Sequence, residues 1–173
     1  MTSTALPAGF LLGIEGVLVL DGVPVPGSVE AIVRLRAMGC PFRVLSEPTS
    51  SSPNDLATRL GESGFSIDPE EILVAGAFDG DAPMATASDS ARKARVLLLG
   101  EAAADLRLPK GATILVVGSD FESEIGPALD LGFSALLVRS GGAVEESRVG
   151  QDIPEAIVAQ NLGAWLYRVL RLR

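Results

Sequence analysis

Three short segments rich in acidic and hydroxyl side chains each follow an apolar run typical of a buried strand. They are Gly13-Ile-Glu-Gly16, Ser46-Glu-Pro-Thr49 and Gly118-Ser-Asp-Phe-Glu-Ser-Glu124. Carboxylate oxygens can transfer protons or bind hard cations such as Mg²⁺, and hydroxyl groups can donate hydrogen bonds to phosphate oxygens. Because the carboxyl ends of parallel strands meet at one edge of a sheet, we expect the three segments to converge there.

Each candidate residue also has a structural interpretation. Glu15 and Asp120 either have a functional role or, as we favour, are surface carboxylates at strand ends. Ser46 and Thr49 either have a functional role or, the favoured alternative, cap the next turn. The acidic residues from 120 to 124 either bind Mg²⁺ or Ca²⁺ weakly or form the acidic first turn of a helix.

Composition excludes several classes of chemistry. The chain has 173 residues, the length of one ordinary domain, and no histidine, which excludes histidine bases and histidine-ligated zinc. Its single cysteine, Cys40, cannot form an intramolecular disulfide. A net charge of −8 argues against nucleic-acid and anionic-membrane partners. Because we find neither a signal peptide nor a transmembrane stretch, we expect a cytoplasmic protein.

Apolar runs that alternate with amphipathic segments indicate an α/β fold. We expect buried strands over Gly9–Ile14, Pro41–Ser46, Glu71–Ala75, Thr113–Val117 and Ala135–Val138. We expect helices over Ser28–Met38, Asp55–Ser63 and Phe121–Leu131. The Asp21-Gly22 pair between two short apolar stretches predicts a β-hairpin. Strands and helices that alternate through short turns are typical of a doubly wound parallel sheet.

Two regions have weaker patterns. Residues 76–90 lack periodicity and predict a loop, whereas Arg95–Leu99 predicts a strand and Glu101–Leu106 a short helix. Residues 153–170 predict one or two amphipathic helices. These carry an apolar stripe, which is either part of the core, as we favour, or a dimer interface. The stripe is formed by Leu162, Trp165, Leu166, Val169 and Leu170.

The hairpin, the Pro26-Gly27-Ser28 turn, the Ser/Thr-rich stretch after Ser46 and the Gly64-Phe65 turn together resemble a known family. This family is the haloacid dehalogenase superfamily, and within it the phosphatases related to phospholysine phosphohistidine inorganic pyrophosphate phosphatase and to NagD. The segment 118–141 resembles their final metal-binding strand, helix and strand. The resemblance implies a doubly wound α/β core and Mg²⁺-dependent hydrolysis of phosphate esters.

The chain departs from the superfamily at the residues that carry this chemistry. The superfamily's first strand ends in Asp-x-Asp-Gly, in which the first Asp is the nucleophile and a Mg²⁺ ligand; that position is Gly13 here. The second Asp, the general acid, corresponds to Glu15. The phosphate-binding hydroxyl corresponds to Ser46, with Thr49 as a further candidate.

The metal-binding and cationic positions depart as well. The metal-binding Gly-Asp-Asp motif corresponds to Gly118-Ser119-Asp120, so that Ser119 replaces the principal ligand while Asp120 and Glu124 keep carboxylates. Neither lysine of the chain, Lys93 or Lys110, has the sequence context of the superfamily's phosphate-neutralising lysine.

The superfamily's cap domain is also missing. Only residues 76–111 stand between the third predicted strand and the last metal motif, and residues 93–100 resemble the first strand of a cap. We therefore expect one core domain over residues 1–173, with 76–111 as a residual cap or connector. A rim without a cap would leave a flat surface suited to a protein partner.

These departures favour a protein that has lost phosphatase activity and acts as an interaction or assembly module. A protein partner or a homodimer is then expected. No cofactor is expected unless some activity or ligand binding is retained, in which case Mg²⁺ is the candidate. The alternative is a Mg²⁺-dependent phosphatase with a rearranged site that uses Glu15 or Asp120 in new roles.

Overall fold

The structure, a computed structural model, describes residues 6–47, 51–75, 84–140 and 156–171. The strands, in chain order, are β1 Gly9–Gly13, β2 Val19–Leu20, β3 Val23–Pro24, β4 Phe42–Ser46, β5 Ile72–Val74, β6 Ile114–Gly118, β7 Ser134–Val138 and β8 Ala156–Ala159. Six of them form one parallel sheet in the order β5-β4-β1-β6-β7-β8. Strands β4 and β5 follow on one side of β1, and β6, β7 and β8 follow on the other side, which confirms the prediction of a doubly wound sheet.

Helices cover both faces of this sheet. They are α1 Ser28–Ala37, α2 Pro53–Glu62, α3 Met84–Asp105, α4 Gly126–Asp130 and α5 Leu162–Arg171. A 3₁₀ turn at Pro69–Glu71 precedes β5, and a π-helical turn at Phe121–Ile125 precedes α4. Helices α1, α2 and α5 pack on one face, and α3 and α4 pack on the other. In the described part of the chain, no helix is both long and apolar enough to cross a membrane.

Alternate residues of each central strand point to opposite faces. In β1, Phe10 and Leu12 belong to the core under α1 and α5, whereas Leu11 belongs to the core under α3. The Phe10 ring meets the Trp165 ring of α5 edge-on, with centroids 6.3 Å apart. A strand buried on both faces needs an uninterrupted apolar run, and this is the pattern from which β1 was predicted.

The predicted hairpin is confirmed as β2 and β3, which pair antiparallel outside the main sheet. Asp21 and Gly22 both have positive φ, 50° and 78° respectively. A two-residue hairpin turn of this kind needs positive φ at both central positions, which is why an Asp-Gly pair predicts it.

Helix α3 contradicts the prediction of a loop followed by a strand. Residues 84–90 are helical rather than a loop, and residues 76–83 lie outside the described residues. The expected strand at 95–99, and with it the resemblance of 93–100 to a first cap strand, is wrong because this stretch is the middle of α3. Its buried apolar residues follow helical spacing over a longer window than the apolar run: Leu98, Leu99 and Ala102, with Leu106 directly after the helix.

The C-terminal prediction is wrong for one element and right for another. Residues Ala156–Ala159 form β8, which pairs with β7, instead of the start of a helix. The helix begins at Leu162 as α5. Three residues of its predicted apolar stripe are buried in the core, Leu162, Trp165 and Leu166, and the other two, Val169 and Leu170, are half-buried and pack against the same core.

Helix α5 lies against the residue before α1, Gly27, at a glycine of its own, and this contact predicts a stability difference. A Cβ at Gly163 would lie 2.6 Å from the Gly27 carbonyl oxygen, so α5 would have to move away. We expect Gly163→Ala to lower the free energy of unfolding by about 1–3 kcal/mol. The matched control is Gly100→Ala in α3, where a Cβ would meet nothing within 4 Å, and which we expect to stabilise by about 0.5–1 kcal/mol. Urea denaturation of both variants tests the pair, and equal effects would contradict the close contact.

Candidate functional site

The sheet topology brings the three candidate segments to one edge. Strands β4, β1 and β6 are neighbours, so the residues that follow them lie side by side at their carboxyl ends. The chain places β4 and β5 on one side of β1 and β6, β7 and β8 on the other side. In a doubly wound sheet, ligands usually bind at the carboxyl ends of the strands where the order reverses in this way. The described residues of the three segments surround one buried carboxylate, that of Glu124.

Glu124 occupies space that two glycines leave open. A Cβ added to Gly13 would lie 2.6 Å from Glu124 Oε1, and one added to Gly118 would lie 2.7 Å from the Glu124 Cβ. The Glu124 residue is only 7% exposed. The missing side chain at position 13 therefore makes room for a carboxylate that comes from the turn after β6.

The π-helical turn directs Glu124 inward. In this turn the Ile125 N–H donates to the Asp120 carbonyl oxygen at 3.2 Å, the hydrogen bond that makes the turn wider than one of an α-helix. Glu124 Oε2 accepts from the backbone N–H groups of Ser119 at 2.7 Å and Asp120 at 3.1 Å. One oxygen of the buried carboxylate is thus held by the backbone of its own turn.

The other oxygen is held by Arg95, which projects from α3. Arg95 Nη2 donates to Glu124 Oε1 at 2.7 Å, and the arginine is only 6% exposed. Arg95 Nη1 also lies 3.3 Å from Glu47 Oε1, close enough for an ion pair but not aligned as a hydrogen bond. Among the described residues, neither Nη1 nor Nε has a hydrogen-bond partner. The site therefore contains a buried guanidinium between two carboxylates.

Arg95 was not among the residues predicted from the sequence, because the family resemblance implies a lysine as the cation. Lys93 and Lys110 are both exposed, so neither supplies charge to this edge. The available signal was a single arginine one turn before two leucines in a run that is otherwise apolar, Ala94 to Leu99. On a helix, this spacing places the arginine on the buried face. Arg95 therefore supplies the positive charge at this edge that neither lysine supplies.

Glu15 and Ser119 link the segment after β1 to the segment after β6. Ser119 Oγ donates to the main-chain oxygen of Glu15 at 3.0 Å. The Glu15 carboxylate reaches the hairpin, where Oε1 accepts from the Asp21 N–H at 2.8 Å. The groups proposed as an acid and as a replaced metal ligand thus have partners within the chain.

Asp120 begins the π-helical turn and caps it. Its Oδ1 accepts from the backbone N–H of Ser123 at 2.7 Å and from the Ser123 hydroxyl at 2.8 Å. The sequence left two alternatives for the acidic residues 120–124, a weak cation site or the acidic first turn of a helix. The hydrogen bonds of Asp120 Oδ1 are those of a residue that caps such a turn.

Ser46 lies at the end of β4 and is buried. Its Oγ donates to the main-chain oxygen of Glu47 at 3.0 Å, which ties the hydroxyl to the turn after the strand. Thr49, the other predicted phosphate-binding residue, lies outside the described residues. The structure therefore places one of the two hydroxyl groups at this edge.

The residues present do not fit a magnesium ion as they stand. Gly13 offers no side-chain ligand, and both oxygens of Glu124 already accept hydrogen bonds. The Arg95 guanidinium, 2.7 Å from Glu124, would repel a cation placed there. Among the described residues, no group of three or more His, Cys, Asp or Glu side chains converges as a metal site.

A profile of the haloacid dehalogenase-like hydrolases matches residues 10–124, about two thirds of the sequence. The chain belongs to this family. The ribonucleotide monophosphatase NagD of Escherichia coli K12 is 33% identical to it over 111 residues, which cover 62% of this chain and 42% of NagD. The haloacid dehalogenase-like hydrolase domain-containing protein 2 of Rattus norvegicus is 38% identical over 63 residues, 36% of this chain and 24% of that protein.

A solved structure supports the same assignment at the level of fold. The 4-nitrophenylphosphatase of Thermotoga maritima has a TM-score of 0.70 at 13% identity, over 94% of this chain and 97% of that chain. The sequence matches span about a quarter to two fifths of the length of the curated relatives. The resemblance to NagD-like proteins of the superfamily is thus confirmed.

The surroundings of Glu124 predict how stability depends on pH. Burial raises the pKa of Glu124 above its usual value of 4.5 and Glu47 adds to the rise, whereas Arg95 and the two N–H groups oppose it. The folded chain therefore binds this proton more tightly than the unfolded chain. From pH 4.5 up to the higher folded pKa, the contribution of Glu124 to the free energy of unfolding falls as pH rises.

The matched comparison for this prediction is Glu124→Gln, which removes the titrating group. We expect the stability of the native chain minus that of the variant to decrease as pH rises above about 4.5. Urea denaturation across a pH series measures the difference. A difference that increases with pH in this range would contradict the raised pKa.

Proposed function

We propose that this family member has lost phosphatase activity and serves as a non-catalytic interaction or assembly module. One observation carries the proposal: the Glu124–Arg95 ion pair fills the space beside Gly13 in which the family's nucleophile would stand. A buried pair at that place leaves no room for a reacting phosphorus atom next to β1.

The chemistry of phosphoryl transfer supports the proposal. Catalysis of this reaction depends on positioning and on neutralisation of charge by metal ions and cationic groups. Gly13 cannot attack phosphorus, and Ser119 replaces the principal metal ligand that the family resemblance implies. The Arg95 charge is shared between Glu124 and Glu47, so it is partly neutralised before any phosphate approaches.

The alternative is a Mg²⁺-dependent phosphatase with a rearranged site, and one observation favours it. Arg95 is a cation at this edge, and two of its nitrogen atoms, Nε and Nη1, have no hydrogen-bond acceptor among the described residues. A phosphate oxygen would supply such an acceptor. In this alternative, Glu15 or Asp120 would carry the proton or the metal.

Hydrolysis of 4-nitrophenyl phosphate with and without Mg²⁺ tests the proposal, with the 4-nitrophenylphosphatase of Thermotoga maritima as the positive control. We expect no turnover by the native chain above the buffer background. Mg²⁺-dependent turnover by the native chain would overturn the proposal in favour of the rearranged phosphatase.

A revertant run in parallel tests whether the scaffold still supports the chemistry. It combines Gly13→Asp and Ser119→Asp with Glu124→Asp, because the shorter acidic side chain withdraws its carboxylate from position 13. Activity in this variant alone would support the loss of catalytic groups on an intact fold. The same variant without Gly13→Asp is the matched control, since it lacks only the nucleophile.

The partner of the proposed module is either another protein or a second copy of this chain, in the cytoplasm. The apolar stripe of α5 packs against the chain's own core, so a homodimer would have to use a different surface. We also propose that the chain is one core domain in which 76–111 replaces the cap. Sedimentation velocity over a range of concentrations tests the homodimer.

A further inference from the structure

We propose that Arg95 is a built-in counter-cation for Glu124, so that the native chain excludes divalent cations from this edge of the sheet. The guanidinium neutralises the buried carboxylate in the way that a bound metal ion would. This inference rests on the proposed loss of the metal-dependent site and states what replaced it.

Glu124 needs a cation because it is buried. An isolated carboxylate in an apolar interior is strongly unfavourable unless a positive charge accompanies it. Its Oε2 is occupied by two backbone N–H groups, which leaves Oε1 as the atom that a cation can approach. Arg95 Nη2 is at that atom, 2.7 Å away.

The arrangement around Arg95 has the charge pattern of a small cation site. Two carboxylates flank its guanidinium, Glu124 at 2.7 Å and Glu47 at 3.3 Å. The arginine is buried although its Nε and Nη1 have no hydrogen-bond partner among the described residues. Unpaired buried N–H groups are unfavourable, so charge rather than complete hydrogen bonding accounts for the position of this side chain.

Helix α3 holds the guanidinium in place. Arg95 lies one turn before Leu98 and Leu99, which are buried against the sheet together with Ala102. Because this face of the helix is fixed in the core, the arginine cannot withdraw without loss of packing. A Mg²⁺ ion, which requires near-octahedral oxygen ligands, would therefore have to bind next to a fixed positive charge.

The first experiment measures the thermal unfolding of the native chain in millimolar MgCl₂ or CaCl₂ against NaCl of equal ionic strength. We expect the same Tm in all three salts. A Tm that rises with either divalent salt, together with heat of binding in a calorimetric titration, would overturn the proposal. This measurement does not depend on the folding of any variant.

The second experiment removes the guanidinium and returns it in solution. Arg95→Ala is expected to lower Tm by roughly 6–20 °C, and millimolar methylguanidinium is expected to recover part of that loss. The matched control is Arg92→Ala, on the same helix, whose ion pair with Asp130 is exposed. Its Tm should change little and should not respond to methylguanidinium. Equal Tm losses in the two variants would overturn the proposal.

Arg95→Lys covers the case in which Arg95→Ala does not fold. Lysine keeps the positive charge but not the planar fork, so its Tm should lie above that of Arg95→Met, a neutral side chain of similar length. A lysine variant no more stable than the methionine variant would overturn the role of charge.

Divalent-cation binding without phosphatase activity would contradict this inference alone, whereas phosphatase activity without a divalent-cation effect would contradict the proposed function alone.

Discussion

Replacement of Arg95 by methionine is expected to lower the free energy of unfolding by about 3–5 kcal/mol. Glu124 would keep its two backbone hydrogen bonds but lose the only cation within hydrogen-bond distance of its Oε1 among the described residues. Glu124→Gln is expected to cost a similar amount, because it leaves the guanidinium buried without its closest carboxylate. Arg95→Met therefore leaves a buried carboxylate without a cation, and Glu124→Gln leaves a buried guanidinium with only the exposed Glu47 as its counter-charge.

The double variant Arg95→Met/Glu124→Gln removes both charges. Since a buried ion pair replaced by neutral groups is often close to neutral in stability, we expect it to be more stable than either single variant. The coupling energy of the cycle should be about 2–3 kcal/mol. Urea denaturation followed by the fluorescence of Trp165, the only tryptophan of the chain, measures all four proteins.

The control cycle is Arg92→Met with Asp130→Asn. This pair joins α3 to α4 on the surface, with side chains 44% and 54% exposed. Exposed ion pairs contribute about 0–1 kcal/mol, so its coupling should lie in that range. Equal coupling energies in the two cycles would show that burial at the candidate site has no special energetic role.

Gly13→Asp, which restores the nucleophile that the family resemblance implies, is expected to destabilise the fold by at least about 3 kcal/mol. The new Cβ would lie 2.6 Å from Glu124 Oε1, and the new carboxylate would bring a second negative charge beside the first. Gly13→Ala has the steric effect without the charge and should cost about 1–3 kcal/mol. The difference between the two variants measures the charge repulsion.

Removal of Glu124 should reverse much of this effect. In Gly13→Asp/Glu124→Ala, the carboxylate at position 13 would stand near the present place of Glu124 Oε1 and within reach of Arg95. We therefore expect the double variant to be more stable than Gly13→Asp alone, as measured by urea denaturation. Gly61→Asp, at a position with no atom within 4 Å of a new Cβ, is the control for a glycine-to-aspartate change. A Gly13→Asp chain as stable as the native chain would refute the proposed occupation of that space by Glu124.

The central strands could be predicted from sequence because each is buried on both faces. Residues 9–13 and 114–118 are almost continuously apolar between turn residues, which is the pattern expected of a strand buried on both faces. Helix α3 and strand β8 could not be predicted in this way. The short apolar run inside α3 resembles a strand, and β8 exists because it pairs with β7 at the edge of the sheet.

The candidate segments were predictable, whereas the contacts within them were not. The rule that ligand-binding residues follow parallel strands located positions 13–15, 46–47 and 118–124. It did not indicate that Glu124 turns inward while Asp120 caps the turn. It also did not indicate Arg95, which comes from a helix on one face of the sheet rather than from a strand end.

The sequence by itself determined which chemical groups this protein lacks. Residue 13 is a glycine and has no side chain, and the chain contains no histidine, whatever fold it adopts. Only the tertiary structure decided that Glu124 and Arg95, 29 residues apart in sequence, form a buried ion pair. The physical reason is that the energy of a charge pair depends on distance and burial in three dimensions, and neither quantity follows from separation along the chain.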